Sequence, residues 1–369
     1  MPKCVEKVSI YHTRYMASVS SPTPTTTTTV DEGGATTISA VHPDILQTHI
    51  LKRLDGPTLA SAACTCSQLY TLSSQENLWT NICNSTWPST NTPRLRHVIS
   101  TFPNGSRSFF SDSFPLLLTN SSDPTVTPSS SSSINSNNQD RPSEIISAVD
   151  VYYKGRLIFS KVIETETLTG WFRCSPFRLD LLDPKDVVPT PIKYPEGEED
   201  KCRDLEEDLE LSWILIDPIG RRAMNVSSQK PVSVQRHWLS GEVQVRFATI
   251  LAGERGASSE FVQCGVVITC GGSQGGGLLV KEMSLQVEDM DGVHLNGKES
   301  LVILQRAMEG KKGIRRRREE EGRKRYQEFL ERKKERKEKK LRTEGTLDML
   351  CVAFGVLGFA SFWLFVLCR

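Results

Sequence analysis

The chain has 369 residues, room for about two folded units with linkers between them. A formal net charge of +1 gives no overall basic surface of the kind that nucleic acid requires, so no nucleic-acid partner is expected. Ten cysteines without one CxxC pair exclude a disulfide framework, and no histidine, cysteine and carboxylate cluster has metal-ligand spacing. The average hides an acidic run from Glu196 to Glu210 and a basic one from Lys311 to Arg342. The N-terminus carries no long apolar run, so no secretory signal is read there.

Serine and threonine dominate Ser18 to Thr29, where Pro22 and Pro24 interrupt any regular pattern; this predicts a disordered leader over 1–40. Pro43 then opens a helix, since its fixed φ suits the first helical position and its missing N–H would be unpaired there. Ile45, Leu46, Ile50 and Leu54 follow at helical spacing, with Leu51 widening the stripe. Asp55-Gly56-Pro57 supplies a turn, after which Leu59, Ala62, Ala63 and Cys66 recur on one face of a second helix, so that the Cys64 and Cys66 thiols read as core. Ser74 can cap a third, in which Leu78, Trp79 and Ile82 lie together. Three helices this short enclose too little apolar area to stand without a partner.

The segment VHPDILQTHILKRLDGPTLASAACTCSQLYTLSSQENLWTNIC resembles the F-box in its usual order. Pro43 matches the proline that opens the motif; Leu46, Ile50, Leu51 and Leu54 match its first apolar helix, Leu59 its second, and Leu78-Trp79 its closing pair. His42 replaces the leucine that often precedes the proline, and Leu69-Tyr70 stand about where many members carry a tryptophan. The resemblance implies a Skp-type adaptor as partner, bridging to a cullin and a ubiquitin-conjugating enzyme. The residues expected to bind that adaptor are Pro43, Ile45, Leu46, Ile50, Leu51, Leu54, Leu59, Leu78 and Trp79.

Asn120 to Ser143, containing TVTPSSSSSINSNNQD, reads as a flexible linker. Beyond it the pattern is that of strands: a hairpin around Lys154-Gly155, then Leu211 to Ile216, Gly241 to Leu251, Phe261 to Thr269 and Leu278 to Val287. An antiparallel sandwich is the simplest architecture. Asp217-Pro218-Ile219-Gly220 makes a turn, the acidic stretch before it is placed as an exposed insertion, and Leu301 to Met308 forms a short terminal helix. Trp171, Trp213 and Trp238 fit a sandwich core better than a ligand surface.

The words SWILIDPIGRRAMNVSS and RHWLSGEVQVRFATIL resemble the C-terminal part of a plant F-box group with a cytokinin-induced member and with hydrophobic tails. GGGLLVKEMSLQVED is also similar to the phloem-lectin β-sandwich. No ligand residue is carried over from either. Nothing designates catalysis: the loop from Gly271 to Gly277 lacks the lysine and hydroxyl of a Walker-type loop, and neither His237, Asp217 nor Glu242 has a partner in sequence. No cofactor or metal is expected.

From Met349 to Cys368 no charged residue occurs, and at about 1.5 Å per helical residue this run spans roughly the 30 Å hydrocarbon core of a bilayer. Only Arg369 follows, the arrangement of a tail anchor. The lysine and arginine crowded just before it place the body in the cytosol. Glu319 and Arg323, Glu320 and Lys324, Glu321 and Arg325, and Glu328 and Arg332 are four apart and support a helix, and its few apolar residues, Ile314, Tyr326, Phe329, Leu330 and Leu341, predict a solvated spacer. Attraction to anionic lipid and a nuclear-import signal at Arg315 to Arg318 stand beside that reading.

The expectation is an α+β chain: leader 1–40, three-helix F-box 41–85, a following segment 86–119, linker 120–143, β-rich recognition domain 144–309, basic helical stalk 310–346 and one transmembrane helix 347–369. It would be a non-catalytic substrate receptor of an SCF-type ubiquitin ligase, recruiting an unknown protein substrate. A single-pass location at the endoplasmic reticulum or nuclear envelope is expected, with the nucleus left open. A membrane-tethered, lectin-like protein acting without ubiquitin is the alternative.

Overall fold

A computed structural model describes residues 41–114, 142–195, 200–253, 261–310 and 318–369. The leader, nearly all of the serine-rich linker, Ile314 and the Arg315 to Arg317 cluster lie outside the described residues. The chain divides into two compact units, Met1–Pro43 and Asp44–Arg369, and both sheets belong to the second.

The first helical segment changes its winding as it goes: α1 (Pro43–Ile45) passes into a π turn over Leu46–Ile50 and a 3-10 turn over Leu51–Arg53. Asp55 caps α2 (Gly56–Ala63) by accepting the Thr58 N–H at 3.0 Å, with Pro57 in the first turn. Where three helices were expected, the chain makes a further one, α3 (Ser67–Ser73), before α4 (Glu76–Thr86). Ser74 therefore ends α3, its hydroxyl donating to the Tyr70 carbonyl at 2.6 Å, and does not cap α4. The break between α2 and α3 also leaves Cys64 and Cys66 exposed and not in a core, the Cys66 sulfur accepting the Leu69 N–H at 3.5 Å. A 3-10 turn at Pro88–Asn91, α5 (Pro93–Ser100) and α6 (Gly105–Ser113) complete the helical layer.

Two antiparallel sheets follow. The first has the order β2-β1-β5-β6, from β1 (Glu144–Tyr153), β2 (Arg156–Glu166), β5 (Leu209–Asp217) and β6 (Arg222–Asn225). The second runs β3-β10-β9-β8-β7, from β3 (Arg178–Asp180), β7 (Ser233–Arg236), β8 (Val243–Ala252), β9 (Phe261–Gly272) and β10 (Gly277–Asp289), with β4 (Val188–Lys193) also on β10. Lys154 and Gly155 join β1 to β2 with φ of 52° and 70°, the left-handed pair whose twist suits a two-residue hairpin. A short α7 (Gly170–Cys174) and α9 (Gly297–Glu309) close one end of the sandwich, where the Gly297 N–H donates to the Ser175 carbonyl at 3.0 Å.

β1 and β5 are buried on both faces. Ile145, Val149, Val151, Leu211, Trp213 and Leu215 point into the core shared with the six-stranded sheet. Ile146, Ala148, Ile214 and Ile216 point the other way, into a core shared with Leu51, Leu59, Trp79, Trp87, Phe109 and Phe110 of the helices. Each buried valine, leucine, isoleucine or phenylalanine among them contributes roughly 1.5–3 kcal/mol. The covering that the short helices need thus comes from α5, α6 and the sheet of the same chain.

Two further expectations are corrected. The described part of the acidic run is no bare insertion: Asp200–Asp208 forms α8, and its Leu205 is buried in the sandwich core while Asp204 and Glu207 are exposed. The basic segment is no solvated spacer over its first turns. It begins α10, one continuous helix over Arg318–Cys368, whose Tyr326 and Phe329 pack on Ala248 and Ile250 of the six-stranded sheet and on Met290 just after β10. Arg323 pairs with Glu206 at 3.8 Å, Arg336 with Asp291 at 3.1 Å, and Lys333 with Glu288. Arg332 lies over the Phe261 ring at 5.1 Å, and Glu328 pairs with Lys324 at 3.9 Å. From Leu347 on the large apolar side chains of α10 are exposed.

A buried carboxylate pins the helical layer to the sheet. Asp150 of β1 accepts the Ser89 N–H at 3.0 Å and hydroxyl at 2.5 Å, and the Ser160 hydroxyl at 2.7 Å. Burial raises its pKa above the ordinary value, and the three hydrogen bonds offset this in part. Asp150→Ala leaves those donors unpaired and should cost about 2–4 kcal/mol in urea unfolding of the detergent-solubilised chain. Because the folded pKa is raised, the linked stability is greatest below 3.8 and falls as pH rises through the folded value. Asp150→Asn cannot titrate, so the stability of the natural chain relative to that variant should decline over the same window.

Candidate protein-docking surface

The winding of the first helical segment decides which of its apolar residues reach solvent. A π turn closes i→i+5 bonds, so residues five apart lie near one another around the axis. Leu46 and Leu51, five apart, are both buried; Ile45 and Ile50, likewise five apart, are 49% and 46% exposed. Pro43 is exposed and Leu54 half-buried. The segment is joined to the start of α4 by a hydrogen bond between the Gln47 and Gln75 side chains.

The remaining members of the expected set lie beneath this surface. Leu59, Leu78 and Trp79 are buried in the helical core. The Trp79 indole donates to the Ser73 carbonyl at 2.7 Å, and its ring lies 5.5 Å from that of Phe110. Gly56 is required by the same ring: a Cβ there would stand 2.1 Å from Phe110 Cζ. Gly105, at φ 53°, turns the chain so that the Ser106 N–H donates to the Glu76 carboxylate at 2.8 Å. Burial, with Glu76 nearby, pushes the Cys83 thiol up to about 12, which leaves it protonated and inert.

Tyr70 belongs with the exposed set and was not among the expected residues. It projects from α3 with the Arg107 guanidinium 5.4 Å from its ring centre, and the same guanidinium lies 5.8 Å from the Trp79 ring. The sequence marked this position only as a departure, Leu69-Tyr70 standing about where many members of the family it resembles carry a tryptophan. Apolar tips above a fixed core are suited to burying area against another protein.

The groups weighed for catalysis have structural roles. Asp217 accepts the Ile219 and Gly220 N–H groups at 3.0 and 2.8 Å and closes its turn. Glu242 is bonded by Lys281 at 2.8 Å, which chiefly lowers its pKa, and His237 Nδ1 lies 3.1 Å from the Ser240 hydroxyl. Gly271 and Gly272 end β9 and Gly277 opens β10, with Ser273 to Gly276 the turn between them. Among the described residues no group of three or more histidine, cysteine or acidic side chains is placed to hold a metal. Trp213 is fully buried, as expected, but Trp171 and Trp238 are 84% and 88% exposed, because α7 and the β7–β8 turn carry them outside the sandwich.

Residues 43–85 match the F-box-like family model. A probable F-box protein of Arabidopsis thaliana is 50% identical over 356 residues, covering 96% of this chain and 99% of that protein. A second Arabidopsis F-box protein is 43% identical over 92% of this chain and 99% of its own length, and a third is 44% identical over 88% of each. No solved structure matches the chain. Similarity at this level runs well past the helical layer into both sheets, and the chain belongs to the F-box protein family.

Proposed function

We propose that this chain is the substrate-receptor subunit of an SCF-type ubiquitin ligase at a membrane surface, binding a Skp-type adaptor and through it a cullin. The observation that carries the reading is the exposed Ile45, Ile50 and Tyr70 set over a core fixed by Leu46, Leu51, Leu59, Leu78 and Trp79, within the segment that matches the F-box model. The chain transfers no ubiquitin itself; it holds a target near a ligase that does, and proximity supplies the rate. The β-rich body is the part available to hold the protein target.

Membrane tethering is supported by α10, whose C-terminal part is long and apolar enough to cross a bilayer and has none of that window buried. The lysines and arginines before it favour a cytosolic body, and the endoplasmic reticulum or nuclear envelope is the membrane we propose. Cytokinin-linked expression rests on the sequence likeness alone. The exposure of Trp171 and Trp238 favours a second reading, a tethered carbohydrate- or peptide-binding protein that works without ubiquitin.

Ile45→Ala with Ile50→Ala should leave folding intact, since both side chains are half in solvent, yet weaken adaptor binding by about 10- to 100-fold, or 1.4–2.8 kcal/mol. Calorimetric titration with purified adaptor decides it, and undiminished affinity would remove the docking assignment. Failure of the natural chain to co-purify with a cullin would favour the ubiquitin-independent reading. For the anchor, alkaline carbonate should leave the full chain in the membrane pellet and release a version ending at Thr346; release of both would refute it.

A further inference from the structure

We propose that the outer face of the six-stranded sheet holds a pocket for a carboxylate-bearing group of amino-acid size. Alternation puts every second residue of β8, β9 and β10 on this face, and the register sets them in three rows: Arg246, Val267, Ser284; Ala248, Gly265, Gln286; Ile250, Gln263, Glu288. Gly265 occupies the centre. A glycine inside a strand forfeits packing and often marks a place where another group comes close to the backbone. Above it lies a cavity of 170 Å³, lined in part by Arg246, Gln263, Gly265, Gln286, Glu288 and His294. At roughly 30 Å³ per water this is the space of about five or six waters, below the ~300–1,000 Å³ of drug-sized sites.

Gln263 is the observation that points to a ligand. It is only 9% exposed, its amide makes no hydrogen bond among the described residues, and its Nε2 overhangs the glycine, 3.1 Å from where a Gly265 Cβ would be. No described residue satisfies this amide, which opens to the cavity, so a group bound there can take over the hydrogen bonds that water would make. Charge narrows the chemistry. Glu288 is neutralised by Lys333 of α10, whereas Arg246 has no ion pair among the described residues. One carboxylate can accept from both the Arg246 guanidinium and the Gln263 amide, the charge-assisted geometry in which arginine is strongest. α10 borders the site: its Lys333 pairs with Glu288, and the Tyr326 phenol, its pKa raised chiefly by burial, is acted on by both Arg246 and Glu288. The group could arrive as a small free acid or as an acidic side chain of a target.

The inference holds whether or not the helical layer engages an adaptor. The full chain in detergent is titrated calorimetrically with N-acetylglycine, with a blocked tripeptide carrying a central glutamate, and with N-acetylglycine amide as the uncharged control. Binding of N-acetylglycine indicates a small acid, and binding of the tripeptide alone indicates a target side chain; either supports the pocket. Arg246→Gln should weaken binding by about tenfold, and Gly265→Val, which fills the floor, should abolish it, while melting and adaptor affinity stay unchanged. No binding by either carboxylate, equal binding of the amide control, or full affinity in both variants overturns the proposal.

Discussion

Two central strands, β1 and β5, with no solvent face are the constraint on which this molecule depends. Ile146, Ala148, Ile214 and Ile216 are covered by helices, and Ile145, Val149, Val151, Trp213 and Leu215 by a second sheet. An antiparallel sheet more often keeps one face wet and alternates apolar with polar residues. Here the alternation is between two different apolar partners. The polar residue placed on the helix side, Asp150, is tolerated because Ser89 and Ser160 supply three donors. The helical layer and the sheets are therefore one folded body, not two modules on a tether.

The outer sheet is gripped in a similar way from the opposite side. Tyr326 and Phe329 of α10 seat on Ala248, Ile250 and Met290, and cationic residues of the same helix reach Glu206, Glu288 and Asp291. Partly exposed pairs of this kind are individually worth little. The two buried aromatics supply most of the attachment, and the charges set its register.

Much of this was legible in the sequence, and what was not has identifiable physical causes. The period-2 runs of β5, β8, β9 and β10 and the Lys154-Gly155 turn could be read because strand alternation and left-handed turn chemistry are local. Short strands such as β3, β6 and β7, of three or four residues, carry too little pattern to register. The residues expected to bind an adaptor were not sorted by exposure, since a 3.6-residue period cannot anticipate a π turn that turns Leu46 and Leu51 inward together. The break before α3 was hidden because Cys66 caps through sulfur, an unusual acceptor for that position. The seating of Tyr326 and Phe329 and the exposure of Trp171 and Trp238 depend on contacts far apart in sequence, which periodicity does not encode.

The contact between Gly56 and Phe110 has an implication for how this F-box can be handled. The family match ends at residue 85, yet the space left by the missing Cβ is filled by a ring 54 positions further along the chain. A cassette exchanged at the motif's borders would bring in a second helix with no knowledge of that ring. Chimaeras with other receptors would have to be cut beyond α6, and a glycine that looks dispensable on a helix is here half of a lock whose key lies outside the motif.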